Sequence, residues 1–308
     1  VFNHAFSCSP VCSVARTTLM TGMYAPRIGF QYHRKEVQAR LPAGAEMFPI
    51  SLRKAGYYVS NNVKTDYNVV AGKVWHESSR QASWRKRPDK QAPFFHMQSF
   101  GMSHESSLHF KRQQMDLEQL TTSPDEVTLF PYHPDTPTFR YTYARYHDRM
   151  HAIDQAIGRV IDQLRDDGLM ENTFIFYFGD HGGVLPRSKG YIYESGLHVP
   201  LVIRAPDKWQ HLINLERGSR QPGFVSFIDF GPTVLNLAGV TVPNSMDGTP
   251  FLGPEVSELE KRDETFGYAD RFDEKYELCR SIRKGKYKYI RNYHSFYPDG
   301  LQNNYRYR

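Results

Sequence analysis

The chain has 308 residues, 40% of them apolar and 23% charged. That composition suits one large globular domain, or one domain with a small satellite, and excludes collagen-like and disordered chains. The formal net charge of +6 favours anionic partners, but the cations are dispersed, with the densest patches at Arg80–Lys90 and Arg280–Arg291, which argues against nucleic acid. The three cysteines, Cys8, Cys12 and Cys279, make neither a disulfide framework nor a zinc-ribbon spacing. No apolar run approaches the length of a membrane span.

In chain order, Val1–Phe6 reads as a strand running into a loop. The chain opens inside that strand, without an initiator Met, signal peptide or polar leader. It therefore reads as a fragment lacking an N-terminal part, and Asn303–Arg308 does not resemble a natural stop either. Arg16–Gly22 reads as a helix starting just after Cys12, with Gly22 as its stop. A second helix ends at Leu52–Gly56, Tyr57–Val63 is a strand, and Pro93–Phe100 is a short buried strand. Residues 105–137 are polar and Pro-rich and read as an excursion loop. Thr138–Leu169 carries Tyr146, Met150, Ile153, Ile157, Val160, Ile161 and Leu164 at helical spacing, and Gly168 closes it. Thr173–Phe178 is dense in β-branched and aromatic residues and reads as a central strand. Val199–Ile203 is a further strand and Phe227–Ala238 a helix. Beyond about Thr249 the pattern changes to short strands at Thr265–Tyr268, Leu278–Arg283 and Tyr287–Arg291, with a hairpin turn at Lys284–Gly285. The alternation predicts an α/β fold with a mixed, largely parallel sheet flanked by helices. Residues 1–250 are expected to form the main α/β domain and 251–308 a small antiparallel C-terminal subdomain. There are no internal repeats.

Five places carry side chains with chemical potential. Cys12 sits at a helix N-terminus, where backbone N–H groups favour an anion, and Arg16 follows one helical turn later. Asp180 and His181 emerge from the apolar strand Thr173–Phe178, at the edge where open α/β sheets bind ligands. Lys189 lies in the Gly-containing loop that follows, Lys64 ends strand Tyr57–Val63, and His104 follows strand Phe94–Phe100. Each has a bland reading taken singly: a buried Cys beside a surface Arg, a polar loop pair, an exposed Lys, a surface His.

Jointly and in this order, the strings Cys12-Ser-Val-Ala-Arg16-Thr-Thr-Leu-Met-Thr-Gly22, Phe178-Gly-Asp-His-Gly182 and Lys189-Gly-Tyr-Ile-Tyr-Glu-Ser-Gly-Leu-His-Val-Pro200 resemble the formylglycine-dependent sulfatases of the alkaline phosphatase superfamily. The resemblance is nearest to the bacterial heparan N-sulfatase-like group. It implies an alkaline-phosphatase-like fold, oxidation of Cys12 to formylglycine by a formylglycine-generating or equivalent maturation enzyme, and a Ca2+ ion held by Asp180 and His181. It further implies Arg16, Lys64 and Lys189 as cations on the sulfate, His104 as proton donor to the leaving group, and a sulfated carbohydrate substrate met in the periplasm or outside the cell. The family carries Gly-Lys-x-His after the strand that ends near Lys64. Here Asp66 takes the place of that His, and the segment Gly72-Lys-Val-Trp-His76 is a second match, one residue too long.

The chain also departs from the family at Val14, where Pro is usual, and at Ala15, where Ser is usual. No Asp-Asp pair precedes Cys12, so two further Ca2+ ligands and one strand of the sheet are expected upstream of Val1. Two other readings follow from these departures: a catalytically inactive sulfatase-like glycan-binding protein, favoured by Val14 and Asp66, and a related phosphohydrolase. Oligomeric state is open.

Overall fold

The computed structural model describes residues 1–213, 215–254, 256, 259–273 and 275–297. Residues 298–308, the end of the expected C-terminal subdomain, lie outside the described residues. The chain packs as two compact units, one made of Val1–Ser99 with the described residues from Phe174 onward, the other of Phe100–Thr173.

In the first unit, β1 (Phe2–Phe6) leads into α1 (Cys12–Thr21), followed by α2 (Ala25–Ile28), α3 (Phe48–Lys54), β2 (Tyr58–Asn62), β3 (Glu77–Ser78) and β4 (Phe94–Gln98). The second unit holds α4 (Arg112–Leu117) and the long α5 (Pro137–Asp166). The chain then returns to the first unit through β5 (Ile175–Phe178), α6 (Glu194–Leu197), β6 (His198–Arg204), β7 (Gln221–Ser226), α7 (Phe230–Leu237), β8 (Glu264–Phe272), β9 (Lys275–Lys284) and β10 (Tyr287–Asn292).

Three sheets result, in the orders β5-β6-β1-β7, β3-β2-β4 and β10-β9-β8. β6 runs antiparallel to β5 and β1, while β7 is parallel to β1 and both neighbours of β2 are parallel to it. The third sheet is antiparallel throughout. The expected α/β fold with a mixed sheet and a small antiparallel C-terminal sheet is thus present. Two strand expectations are corrected. β5 is an edge strand of its sheet and is half-buried at all four positions, and β4 is half-buried along its length. Aromatic-rich runs of this kind read as buried from composition alone, whereas burial depends on how many neighbours the topology supplies. The 105–137 segment is not wholly irregular, since it includes α4 and a 3-10 turn at Glu105–Leu108. The last hairpin turns at Gly285–Lys286, one residue later than expected.

The first unit's core lies around α1, all of whose residues are buried. Such a helix must satisfy its own hydroxyls. Thr17 Oγ1 donates to the Ser13 carbonyl at 2.7 Å, Thr21 Oγ1 to that of Thr17 at 2.8 Å, and the Thr18 hydroxyl meets Tyr268 Oη at 2.6 Å. Gly22, at φ +64°, ends the helix in the left-handed conformation that glycine adopts without strain, and its N–H donates to Thr18 O. Beside α1, Phe178, Phe227 and Phe251 pack edge to face around Phe230, with ring centroids 4.9–5.7 Å apart. Burial of the Phe227, Phe230 and Phe251 rings contributes on the order of 1.5–3 kcal/mol each.

In the second unit α5 buries Tyr141, Tyr143, Ala144, Arg145, Ile153, Ala156 and Leu164. The Arg145 guanidinium is paired with Glu118 and donates to the Ser107 carbonyl at 3.0 Å, which fastens the polar segment before α5 onto the helix.

Candidate active site

Cys12 is the first residue of α1 rather than the residue ahead of it. Val11 supplies the extended cap and no side chain caps the N-terminus, so the first-turn N–H groups and the helix dipole favour negative charge beside Cys12. The Cys12 side chain is buried, and its Sγ lies 3.5 Å from His181 Nε2. Cys8 differs in kind: its thiol is fully buried against Ser226 Oγ at 2.9 Å, and burial pushes it up to about 12.

Asp180 and His181 leave the end of β5 as expected. His181 Nε2 is 3.8 Å from Asp180 Oδ1, and Nδ1 sits 2.8 Å from the Gly182 carbonyl. Asp180 Oδ2 faces two cations, Lys64 Nζ at 3.5 Å and Arg16 Nη1 at 3.7 Å. Burial alone would raise the Asp180 carboxyl, but the charges of His181, Lys64, Arg16 and Lys189 outweigh it and hold the group well below the usual carboxylate range. Burial pulls His181 down; Asp180 and Cys12 more than compensate, leaving it above its ordinary value.

Arg16 has two tasks. Its Nε donates to Thr65 O at 3.2 Å and its Nη2 to Lys64 O, fixing the chain as it leaves β2, while Nη1 faces Asp180. That arrangement brings Lys64 into the site. The lysine of the second match, Lys73, is exposed, and its carbonyl accepts from Arg53.

Lys189 reaches the same region through its loop. The Gly182 and Gly183 amides donate to Gly196 O and Ser195 O, the Lys189 amide to Gly183 O, and the Gly190 amide to Pro10 O, all at 2.9–3.0 Å. The last bond ties the loop to the turn that presents Cys12. Gly182 is required at its position, because a Cβ there would stand 2.2 Å from the Ser195 carbonyl oxygen. Lys189 is buried, with Nζ 5.6 Å from the centre of the Phe272 ring.

His104 lies in the second unit, where it caps the Glu105–Leu108 turn and its Nδ1 is 2.9 Å from Ser106 Oγ. Sequence reasoning missed Ser13, His33, Arg34 and Phe272. Buried His33 meets Ser13 Oγ through Nδ1 at 2.9 Å and lies edge-on to Phe272 at 5.3 Å. Burial, offset only partly by Cys12 and Asp66, pushes its imidazole down to about 4. Arg16, Lys64 and Lys189 thus act on one carboxylate, an excess of positive charge suited to an anion with several oxygens.

Comparison with known proteins places the chain in a family. Residues 60–240 match the Sulfatase family. An ulvan-active sulfatase of Formosa agariphila is 36% identical over 335 residues, covering 95% of this chain and 55% of the relative. The chain therefore spans about half the length of that relative. A phosphonate monoester hydrolase from Silicibacter pomeroyi shares the fold with a TM-score of 0.66 at 19% identity, over 94% of this chain and 79% of that one. So does a protein solved with its substrate D-glucosamine-2-N,6-O-disulfate, with a TM-score of 0.68 at 16% identity, over 95% and 81%. The fold is alkaline-phosphatase-like, and the chain belongs to the sulfatase family.

Proposed function

We propose that this chain carries catalytic machinery of a hydrolase that removes sulfate from a sulfated carbohydrate. The observation that carries the reading is the convergence of Cys12, His181, Asp180, Arg16 and Lys64 at the N-terminus of α1. Family membership supports it, as do the relative's name and the disulfated glucosamine bound by a protein of the same fold.

Formylglycine at position 12, made by a formylglycine-generating or equivalent enzyme, would supply an aldehyde hydrate whose hydroxyl can attack sulfur. Position 12 fits that role: it begins a helix, is buried, and lies beside an imidazole. Around it Arg16, Lys64 and Lys189 neutralise the bound sulfate and stabilise the charge that builds on its oxygens. His104 is proposed as proton donor to the leaving oxygen or nitrogen. Asp180 has the oxygen donors that Ca2+ prefers, and His181 stands beside it. Among the described residues, no group of three or more His, Cys, Asp or Glu side chains could hold a metal ion. Ca2+ takes six to eight oxygens, so these two residues do not complete a calcium site and no step is derived through the ion. We further propose residues 251–308 as a small C-terminal subdomain, and the periplasm or cell exterior as the place where such a substrate is met. Among the described residues no helix is long and apolar enough to cross a membrane.

The test is mass spectrometry of the peptide around residue 12, paired with sulfate release from sulfated oligosaccharides and from aryl sulfate against aryl phosphate. An aldehyde mass with sulfate release supports the enzyme. An unmodified thiol in a chain that still binds sulfated glycan supports the inactive-binder reading, which Val14 and Asp66 favour. Preferential phosphate release would replace the sulfatase reading by that of a phosphohydrolase.

A further inference from the structure

Lys64 stands between two carboxylates. Its Nζ is 3.5 Å from Asp180 Oδ2 and 3.9 Å from Asp66 Oδ2. Asp66 is in turn gripped at both oxygens by Arg34, whose Nε donates to Oδ1 at 3.1 Å and whose Nη2 donates to Oδ2 at 3.3 Å. The Arg34 segment is fastened to α1, because its amide donates to Ser13 Oγ at 3.1 Å and the neighbouring His33 meets the same oxygen at 2.9 Å. Ser13 directly follows Cys12. A continuous polar chain therefore runs from Ser13 through Arg34, Asp66 and Lys64 to Asp180, which lies 3.8 Å from the His181 ring nitrogen that faces Cys12.

A lysine ammonium is a point charge on a flexible four-carbon stem, and it needs a fixed counter-charge to occupy one place. Asp180 cannot be relied on for this, since any cation bound there would draw on the same oxygens. Asp66 can. Its bidentate partner Arg34 balances its charge, so Lys64 is oriented at the longer distance without being neutralised and keeps its charge for an incoming anion. Asp66 side-chain exposure is 15%, against 57% for Arg34, so the carboxylate is the inner member of the pair. Burial raises the Asp66 carboxyl, but Arg34 and Lys64 outweigh it and keep the group ionised.

We infer that Asp66 is a positioning residue which, held by Arg34, keeps the Lys64 ammonium where it meets the sulfate group of the substrate. The inference rests on the sulfatase reading above. Asp66 has φ +53°, a conformation that Asn shares with Asp more readily than other side chains do, so Asp66→Asn removes the charge and spares the backbone.

The experiment is a double-mutant cycle in the full chain with Asp66→Asn, Lys64→Ala and the pair, together with Arg34→Ala and Arg34→Lys. Inorganic sulfate affinity is read by calorimetry. Values of kcat and KM for an aryl sulfate are normalised to the formylglycine fraction found by mass spectrometry. Asp66→Asn is expected to weaken sulfate binding and raise KM about tenfold, with a smaller change in kcat, and to have no further effect once Lys64 is absent. Arg34→Ala is expected to reproduce it and Arg34→Lys to recover part of the loss. An equal loss from Asp66→Asn with and without Lys64 would show a merely structural role and overturn the inference, as would unchanged affinity in the single variant. A folded wild-type chain that neither binds sulfate nor hydrolyses the ester would overturn the sulfatase reading itself, and the inference with it.

Discussion

Cys12 Sγ and His181 Nε2 stand 3.5 Å apart although 169 positions separate the two residues. The other ring nitrogen, Nδ1, meets the Gly182 carbonyl at 2.8 Å. A carbonyl can only accept, so Nδ1 carries a hydrogen, and Nε2 presents its lone pair when the ring is neutral and a proton when it is charged. Residue 12 therefore faces a group able to exchange a proton with it. On the proposed function, replacing Cys12 by Ser or Ala in the full chain is expected to reduce sulfate release at least about a thousandfold, because the proposed nucleophile is lost while the cations around it persist. Ion chromatography of released sulfate checks this, and unchanged turnover would refute the assignment of residue 12.

In the proposed site Lys64 supplies charge that Arg16 cannot supply alone, because Arg16 spends Nε and Nη2 on the Thr65 and Lys64 carbonyls. Lys64→Ala is expected to lower kcat/KM by roughly a hundredfold, the scale found for removal of one group that stabilises transition-state charge. Lys64→Arg is expected to restore little, because the planar guanidinium does not reproduce a compact ammonium between Asp66 and Asp180. Steady-state kinetics on an aryl sulfate, with the thermal transition recorded to confirm folding, would reveal an error in this role if Lys64→Ala kept wild-type kcat/KM.

How much of this was legible in the sequence depends on the kind of contact. Asp180 and His181 were legible because an apolar aromatic strand followed by a Gly-flanked polar pair is a local signal. Lys64 was legible from its place at a strand end. His33 and Arg34 were not, because they lie in an irregular stretch between α2 and α3 whose residues have no periodicity. Their partners Ser13, Asp66 and Phe272 are assigned by tertiary packing alone. Strand β5 shows the complementary error: IFYF reads as a core strand, yet topology leaves it at an edge. The short β3 and the strand β7, which pairs in parallel with β1, were not read at all. The Gln221–Ser226 run contains Pro and Gly, which lower strand propensity.

Gly182 gives a prediction on stability and activity together. A methyl group added there would press on the Ser195 carbonyl at 2.2 Å, and backbone atoms of Gly196 lie within 2.8 Å. Neither neighbour is a flexible side-chain tip, so one of the two loop segments must shift. The Gly182 and Gly183 amides donate to the Gly196 and Ser195 carbonyls, and the Lys189 amide donates in turn to the Gly183 carbonyl. Gly182→Ala is expected to cost about 1–3 kcal/mol of stability and to lower kcat/KM more than that loss alone explains. Urea unfolding read alongside kinetics at a temperature where the variant is folded separates the two effects. A variant with wild-type stability and kinetics would show that the loop accommodates the methyl group.

His33 links stability to pH. Its imidazole falls from the ordinary 6.5 to about 4 in the folded protein, chiefly through burial, with Arg34 and Lys189 adding to the fall and Cys12 and Asp66 opposing it. Between these two values the unfolded chain binds a proton at His33 that the folded chain does not. Stability from this residue is therefore complete above about pH 6.5 and is lost as pH falls toward 4. The difference of 6.5 and about 4 corresponds to about 3 kcal/mol over that window at ~1.4 kcal/mol per unit. His33→Gln keeps a group able to bond Ser13 but cannot take up the proton. Its urea-unfolding free energy is expected to decline less steeply than the wild type's between pH 7 and pH 4, so that the difference between the two shifts in the variant's favour by up to about 3 kcal/mol. Carboxylates elsewhere titrate in both proteins and cancel in the comparison. Parallel curves across the window would mean that the protonated His33 is accommodated in the folded state and that its burial beside Lys189 imposes no such cost.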